Sequence, residues 1–236
     1  MTLVFGVDGC RGGWCCVAVD ADRGTIMDAF VRRTFRDVLD SPAGVICVDI
    51  PIGLLDRPGQ RSCDVEARRM LGRGRASSVF PPPSRRAMSF GDYRAASDVN
   101  LQLTGRKLNK QSFNISPKVR EVDEAMKPGM QERVREAHPE LSFWSLNEGV
   151  AVPPSKKTKA GRDHRWRLLR VVFPNLVRTA ELPTELRGLS QMDDYVDALA
   201  CAWTALCVAR GNARRIPSEP ELDERGLRME MWLPGR

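Results

Sequence analysis

Two short apolar runs, each ending in an aspartate, constrain this chain more than any other feature. Leu3-Val4-Phe5-Gly6-Val7-Asp8-Gly9 breaks into Cys10-Arg11-Gly12-Gly13, and Gly44-Val45-Ile46-Cys47-Val48-Asp49-Ile50-Pro51 repeats the design. Runs of this length bounded by glycine or proline read as buried strands, because they are too short for helices and the glycines permit a turn. The first doubles back through Gly12-Gly13 into Trp14 to Asp20, and a turn at Asp22-Arg23-Gly24 leads into a third strand from Thr25 to Thr34. That is an antiparallel meander. Thr34 with Asp37 three residues on resembles a capping box opening a short helix before Pro42, and a helical crossover returns the chain to a strand parallel to the first. Asp8 and Asp49 then share the carboxyl edge of an α/β sheet, where ligand chemistry in such sheets is found. Alone, Asp8 before Gly9 also suits a plain turn, so the reading depends on other acids converging there.

The late helix supplies them. Met192 to Arg210, closed by Gly211, places Val196, Leu199, Trp203 and Leu206 at helical spacing, while Ala198, Ala200, Ala202 and Ala205 allow close approach. Asp193, Asp194 and Asp197 fall in its first turns, with Asp194 and Asp197 on one side. Acids at a helix N-terminus also stabilise its dipole, each by roughly 0.3 to 1 kcal/mol. Glu140, after the strand-like Val134 to His138, is a possible fifth acid, and His138 beside it suits either a proton shuttle or a structural role. Clustered carboxylates without thiolate or imidazole partners suit Mg²⁺ or Mn²⁺, and two such ions would make a phosphodiester-cleaving site.

Between Ile52 and Gly129 strand signals vanish and the chain becomes Arg-rich, Pro-rich and helical. Helices are expected from Ser62 to Leu71 (closed by Gly72), from Asp92 to Leu103, and from a Ser116-Pro117 start to Pro128, which places Lys118 in a first turn. Asp64 and Glu66 are expected to serve the first of these. Val79-Phe80-Pro81-Pro82-Pro83 is a stiff connector, suited to shaping a cleft or to engaging a proline-binding domain. Val152 to Ala160 reads as a mobile basic loop before a packing helix marked by Trp166, Leu169 and Phe173.

The net charge of +7 is concentrated in residues 57–86, 104–120 and 156–170, all outside the strands. Basic loops around an acidic edge suit a phosphate-backbone ligand, though a solvated basic surface is the plain alternative. The seven cysteines lack CxxC spacing and, with only two histidines, give no case for zinc; they read as reduced core residues. No apolar run approaches the roughly 20 residues of a membrane span, and no secretory signal is visible, so a cytoplasmic protein without a membrane partner is expected.

Together these motifs resemble a known family. Gly6-Val7-Asp8-Gly9-Cys10-Arg11-Gly12-Gly13-Trp14, Val48-Asp49-Ile50-Pro51-Ile52-Gly53-Leu54, Arg61-Ser62-Cys63-Asp64, Phe80-Pro81-Pro82-Pro83, Ser116-Pro117-Lys118, His138-Pro139-Glu140 and the Asp194-x-x-Asp197-Ala-Leu helix are similar to domain of unknown function 429, a family of predicted nucleases. The strand order also resembles the RNase H-like fold of retroviral integrases and RuvC-type resolvases. The resemblance implies one domain over 1–236, a mixed five-stranded sheet flanked by helices, a helical insertion at about 52–129 and a tail from about 212. It implies a metal-dependent nuclease acting on DNA or RNA, in which Asp8 bridges two Mg²⁺ or Mn²⁺ ions, Asp49 holds one, and Asp194 with Asp197 the other. Glu140 is a further catalytic candidate, and Arg11, Lys118 and Arg120 are candidates for phosphate contacts or for salt bridges. An actin-like ATP-dependent phosphotransferase and a non-catalytic nucleic-acid-binding protein are the alternatives; a homodimer is compatible with either.

Overall fold

The computed structural model describes residues 2–153, 155–177 and 181–235. Strands β1 (Leu3–Cys10), β2 (Gly13–Asp20) and β3 (Thr25–Arg32) form the expected meander, and helix α1 (Phe35–Leu39) leads to β4 (Val45–Val48). The Thr34 capping box is present, with both reciprocal bonds between Thr34 and Asp37. With β5 (Val134–Glu136) the sheet has the order β3-β2-β1-β4-β5, antiparallel among the first three strands and parallel from β1 through β4 to β5. This mixed order is compatible with an RNase H-like arrangement.

Helix α7 (Met192–Ala209) lies across β1, β2 and β4. One residue decides how closely. A Cβ on Gly6 would stand 2.0 Å from the Ala202 nitrogen and 2.1 Å from the Ala198 oxygen, so the helix backbone fills the space a side chain would need. Side chains alternate along β1, so Val4, Gly6 and Asp8 face α7 whereas Phe5 and Val7 face the other core with Ile46 and Val48 of β4. On β4 the same alternation puts Cys47 and Asp49 on the α7 side. Helix α6 (Lys159–Val172) packs beside α7 through Trp166 and Leu169, and α1 and α4 (Lys110–Ala125) cover the opposite face through Phe35, Val119 and Val122.

The insertion carries α2 (Ser62–Arg75), α3 (Tyr93–Thr104) and α4. Gly72 interrupts α2 at φ 63°, ψ −174° without ending it, because helical turns resume to Arg75. The expected Ser116-Pro117 start is incorrect: Asn109 caps α4 seven residues earlier, its side chain accepting from the Ser112 N–H, and Pro117 sits inside the helix. Lys118 is therefore in mid-helix. Glu140, expected just past a strand end, lies in the first turn of α5 (Pro139–Leu146), which follows β5. The tail folds back as a hairpin, β6 (Ala213–Ile216) with β7 (Met231–Pro234), and contributes Met229, Met231 and Leu233 to a third apolar cluster with α2 and α5. All seven cysteines are buried and unpaired. Among the described residues, no helix is long and apolar enough to cross a membrane.

Candidate functional site

The ladder between β1 and β4 continues one residue past the end of β4. The Asp49 N–H donates to the Val7 oxygen at 2.9 Å, which fixes Asp49 beside Asp8 at the sheet's carboxyl edge. Asp8 is oriented by its own strand, Oδ1 accepting from the Gly9 N–H at 2.7 Å. The close seat of α7 on Gly6 brings Asp197, one residue before Ala198, to the same edge. Asp8, Asp49 and Asp197 line one cavity of about 300 Å³.

The charges in that cavity decide its chemistry. Burial is the largest cause raising the Asp8 carboxyl well above the usual range, and Asp49, Asp197 and Asp194 add like-charge repulsion. Burial also raises Asp49, with His138 and Lys156 opposing. Asp197 is pushed up to about 6 by burial, in spite of Lys156. Lys156 comes from the basic loop before α6, its Nζ 2.5 Å from Asp197 Oδ2. Burial pulls its ammonium down, but Asp197, Asp49 and Asp8 together outweigh that and hold it protonated. Three carboxyl groups from three elements thus share one cavity with Lys156, which pairs directly with Asp197.

The remaining candidates divide. Asp194 is not in the cavity wall; it caps its own helix, accepting from the Gln191 N–H at 2.8 Å and from Ser190 Oγ at 3.2 Å. Glu140 lines the cavity, but buried Arg165 holds both its oxygens at 2.6 and 2.8 Å. His138 accepts the Glu140 N–H on Nδ1 at 3.2 Å and places Nε2 3.3 Å from the Ser78 oxygen, which joins α5 to the insertion. Lys118 reaches the cavity, its Nζ donating to the Gly13 oxygen at 2.7 Å and lying 4.4 Å over the Trp14 ring. Arg11 and Arg120 are exposed and outside the cavity wall.

Lys156, Asp64 and Glu136 also line the cavity. Asp64 does not merely serve its helix: Arg61, itself buried, bridges Asp64 at 3.2 Å and Glu136 at 2.5 Å, and Glu136 accepts the Ile52 N–H at 2.7 Å. Glu136 was findable, because it ends β5 as Asp8 and Asp49 end their runs. Lys156 was not, since nothing in a basic loop tells which lysine turns inward. The loop is also better anchored than expected, with Val152 buried and its carbonyl accepting from Arg75 Nε at 2.9 Å.

Much of the basic excess is engaged internally. Besides Arg61, Arg85 contacts Asp56, Asp123 and Asp223, and Arg57 contacts Glu221 and Glu224. The insertion is thereby tied to the tail.

The family model described as "Protein of unknown function (DUF429)" matches residues 6–222. The chain belongs to this family. No curated protein and no solved structure matches it. The match to DUF429 takes in both strand-end aspartates, the insertion, the Lys156 loop and α7, so every carboxylate of the cavity lies within the family's span.

Proposed function

We propose that the protein hydrolyses phosphodiester bonds of nucleic acid with the help of a divalent metal ion. One observation carries the reading: Asp8, Asp49 and Asp197, from three separate elements, line one cavity, in which Lys156 pairs with Asp197. The fit to a hard cation is chemical. Carboxylate oxygens are the donors Mg²⁺ and Mn²⁺ take, and three carboxylates against Lys156 leave negative charge that a cation would relieve. Among the described residues no group of three or more such side chains is already arranged as a metal-binding cluster, and Asp194 is engaged in capping. The ligands proposed are therefore Asp8, Asp49 and Asp197, and the expected second ion loses one of its two carboxylates. The chemistry supplied by the ion, when bound, is polarisation of the phosphoryl oxygen and activation of a water. The chain's own part is to bring the three carboxyl groups to one edge, with Lys156 offsetting their repulsion when they ionise, and to offer Lys118 and Lys156 as cationic groups for one phosphate.

The test is a panel of DNA, RNA, hybrid and branched substrates with Mn²⁺ or Mg²⁺ titrated in. Asp8→Asn is expected to lower kcat/KM by at least about a hundredfold; retained activity in that variant sinks the proposal. A non-catalytic nucleic-acid-binding role is the second reading, and the Lys156 to Asp197 ion pair favours it, because a resident ammonium already neutralises part of the cluster. Binding that survives both chelation and Asp8→Asn would select it.

A further inference from the structure

We infer that the cavity accepts one unstacked nucleotide, at a strand end or in a single-stranded segment, and excludes base-paired duplex. The identity of the substrate as nucleic acid rests on the proposed phosphodiesterase reading; the size and lining of the cavity do not.

The first argument is cover. The carboxyl edge of the sheet faces a partly covered cavity, which Val79 and Phe80 of the connector, Ser78 just before it, Ile115 and Lys118 of α4, and Met231 of β7 share with the acids. That cover is fastened at several points. Arg68 Nε donates to the Val79 oxygen at 3.0 Å, Ser112 Oγ to the Pro81 oxygen at 2.7 Å, and Lys118 Nζ to the Gly13 oxygen at 2.7 Å. A duplex carries its phosphates on a stiff rod, so bringing one to Asp8 would displace this cover, whereas a single nucleotide is small enough to enter beneath it.

The second argument is size and lining. A cavity of about 300 Å³ lies at the small end of ligand pockets, the scale of one base, sugar and phosphate. Beside the acids and the cationic groups of Lys118 and Lys156 its wall carries an apolar part, with Ile50, Pro51, Val79 and half-buried Phe80. A hydrated metal and a phosphate alone give no use to that surface. A base does, since an aromatic face supports any base by stacking, and unstacking is least costly in a strand that is already single.

The third argument is charge. Duplex binders track many phosphates with a continuous basic surface, but at the cavity itself the ammonium groups are those of Lys118 and Lys156, Arg61 and Arg85 are held in internal ion pairs, and exposed Arg86, Arg106 and Lys107 lie outside the cavity wall. That suffices for one or two phosphates.

The test is calorimetric binding of thymidine 5′-monophosphate, a phosphorothioate oligothymidylate that resists hydrolysis, and a blunt duplex of the same length, run beside the hydrolysis panel. The oligothymidylate is expected to bind at least about tenfold more tightly than the duplex, and Phe80→Ala to weaken it by about tenfold while Phe80→Tyr retains it. If the monophosphate competes for the same site, a free nucleotide is an equivalent source of the ligand; if it does not, the strand is required. Equal or tighter duplex binding overturns the inference, as does failure of both the monophosphate and the oligothymidylate to bind, or a Phe80→Ala variant that keeps its fold by circular dichroism and its full affinity. If the binding preference holds but no substrate is cut with Mn²⁺, the phosphodiesterase reading falls and the nucleotide pocket stands.

Discussion

At the scale of single residues, the site is a balance among Asp8, Asp49, Asp197 and Lys156. All three carboxyls are raised, so the folded state holds protons that the unfolded chain has already released. Where the folded state binds more protons, stability falls as pH rises. The window runs from the ordinary aspartate value near 3.9 up through about 6, where Asp197 titrates. In chelator, the thermal midpoint is therefore expected to fall between pH 4.5 and 6.5, and millimolar Mn²⁺ to remove most of that fall by binding the ionised form; a midpoint that ignores Mn²⁺ at the upper end would count against a metal site. Lys156→Met separates the lysine's share. Its side chain is 39% exposed, so losing the ion pair is expected to cost only about 1 kcal/mol in chelator, while the midpoint gain on adding Mn²⁺ grows, because the ammonium no longer competes for Asp197. Differential scanning fluorimetry on both proteins reads both effects. Asp8 and Asp49 were legible because a carboxylate that ends an apolar run announces its place at a strand end. Lys156 was not, and Asp194 was misleading: spacing puts it on the same side of the helix as Asp197, but a residue at the third helical position has a competing use as a cap, and the backbone N–H of Gln191 takes it.

At the scale of elements, the contact between β1 and α7 sets the geometry of the site. Gly6 has ordinary strand conformation and is required only by space, since the atoms a Cβ would strike are backbone atoms of Ala198 and Ala202 that no rotamer change can move. Gly6→Ala must push α7 off the strand, taking Asp197 away from Asp8 and opening the core around Ala198, Leu199 and Ala202. A loss of at least about 3 kcal/mol is expected from such overpacking against rigid backbone, measurable by urea denaturation; a loss below about 1 kcal/mol would show that the helix tolerates displacement. The alanines of α7 were legible as permitting close approach, but which strand residue meets them depends on the crossing, and Gly6 gave no sign of its own. Element starts were less legible. Ser116-Pro117 carries every sign of a helix N-terminus, yet Asn109 caps α4 and the helix runs on through Pro117. The Ser116 Oγ bond to the Ser112 oxygen at 2.9 Å and the apolar spacing of Val119 and Val122 bind both halves to one core face, so tertiary packing overrides the local signal.

At the scale of the whole molecule, a net charge of +7 suggested a broad phosphate grip, and the fold redistributes it. Arg61 is 1% exposed between Asp64 and Glu136, and Arg85 bridges the insertion to Asp123 and to Asp223 of the tail, so these arginines hold the cover in place over the acids. Sequence counts charges but cannot tell a guanidinium aimed at solvent from one aimed at a carboxylate far along the chain, which is why the core sheet was legible and the role of the basic segments was not. The difference is measurable. Binding that neutralises Z phosphates of a single strand loses affinity with salt at a slope of about −0.7Z on logarithmic axes. A basic surface using all three clusters would engage six or more phosphates and give a slope steeper than about −4. With Lys118 and Lys156 in the cavity wall and exposed Arg11 and Arg120 outside it, between one and four phosphates are expected, a slope between about −0.7 and −3. Fluorescence anisotropy of a labelled oligothymidylate across a salt series checks this. Lys118→Met is expected to make the slope shallower by about 0.7 if that lysine meets a phosphate, and to leave it unchanged if the ammonium stays on the Gly13 carbonyl and the Trp14 ring. A slope near −5 would mean that exposed basic residues outside the cavity, such as Arg73, Arg86, Arg106 and Lys107, also engage the strand.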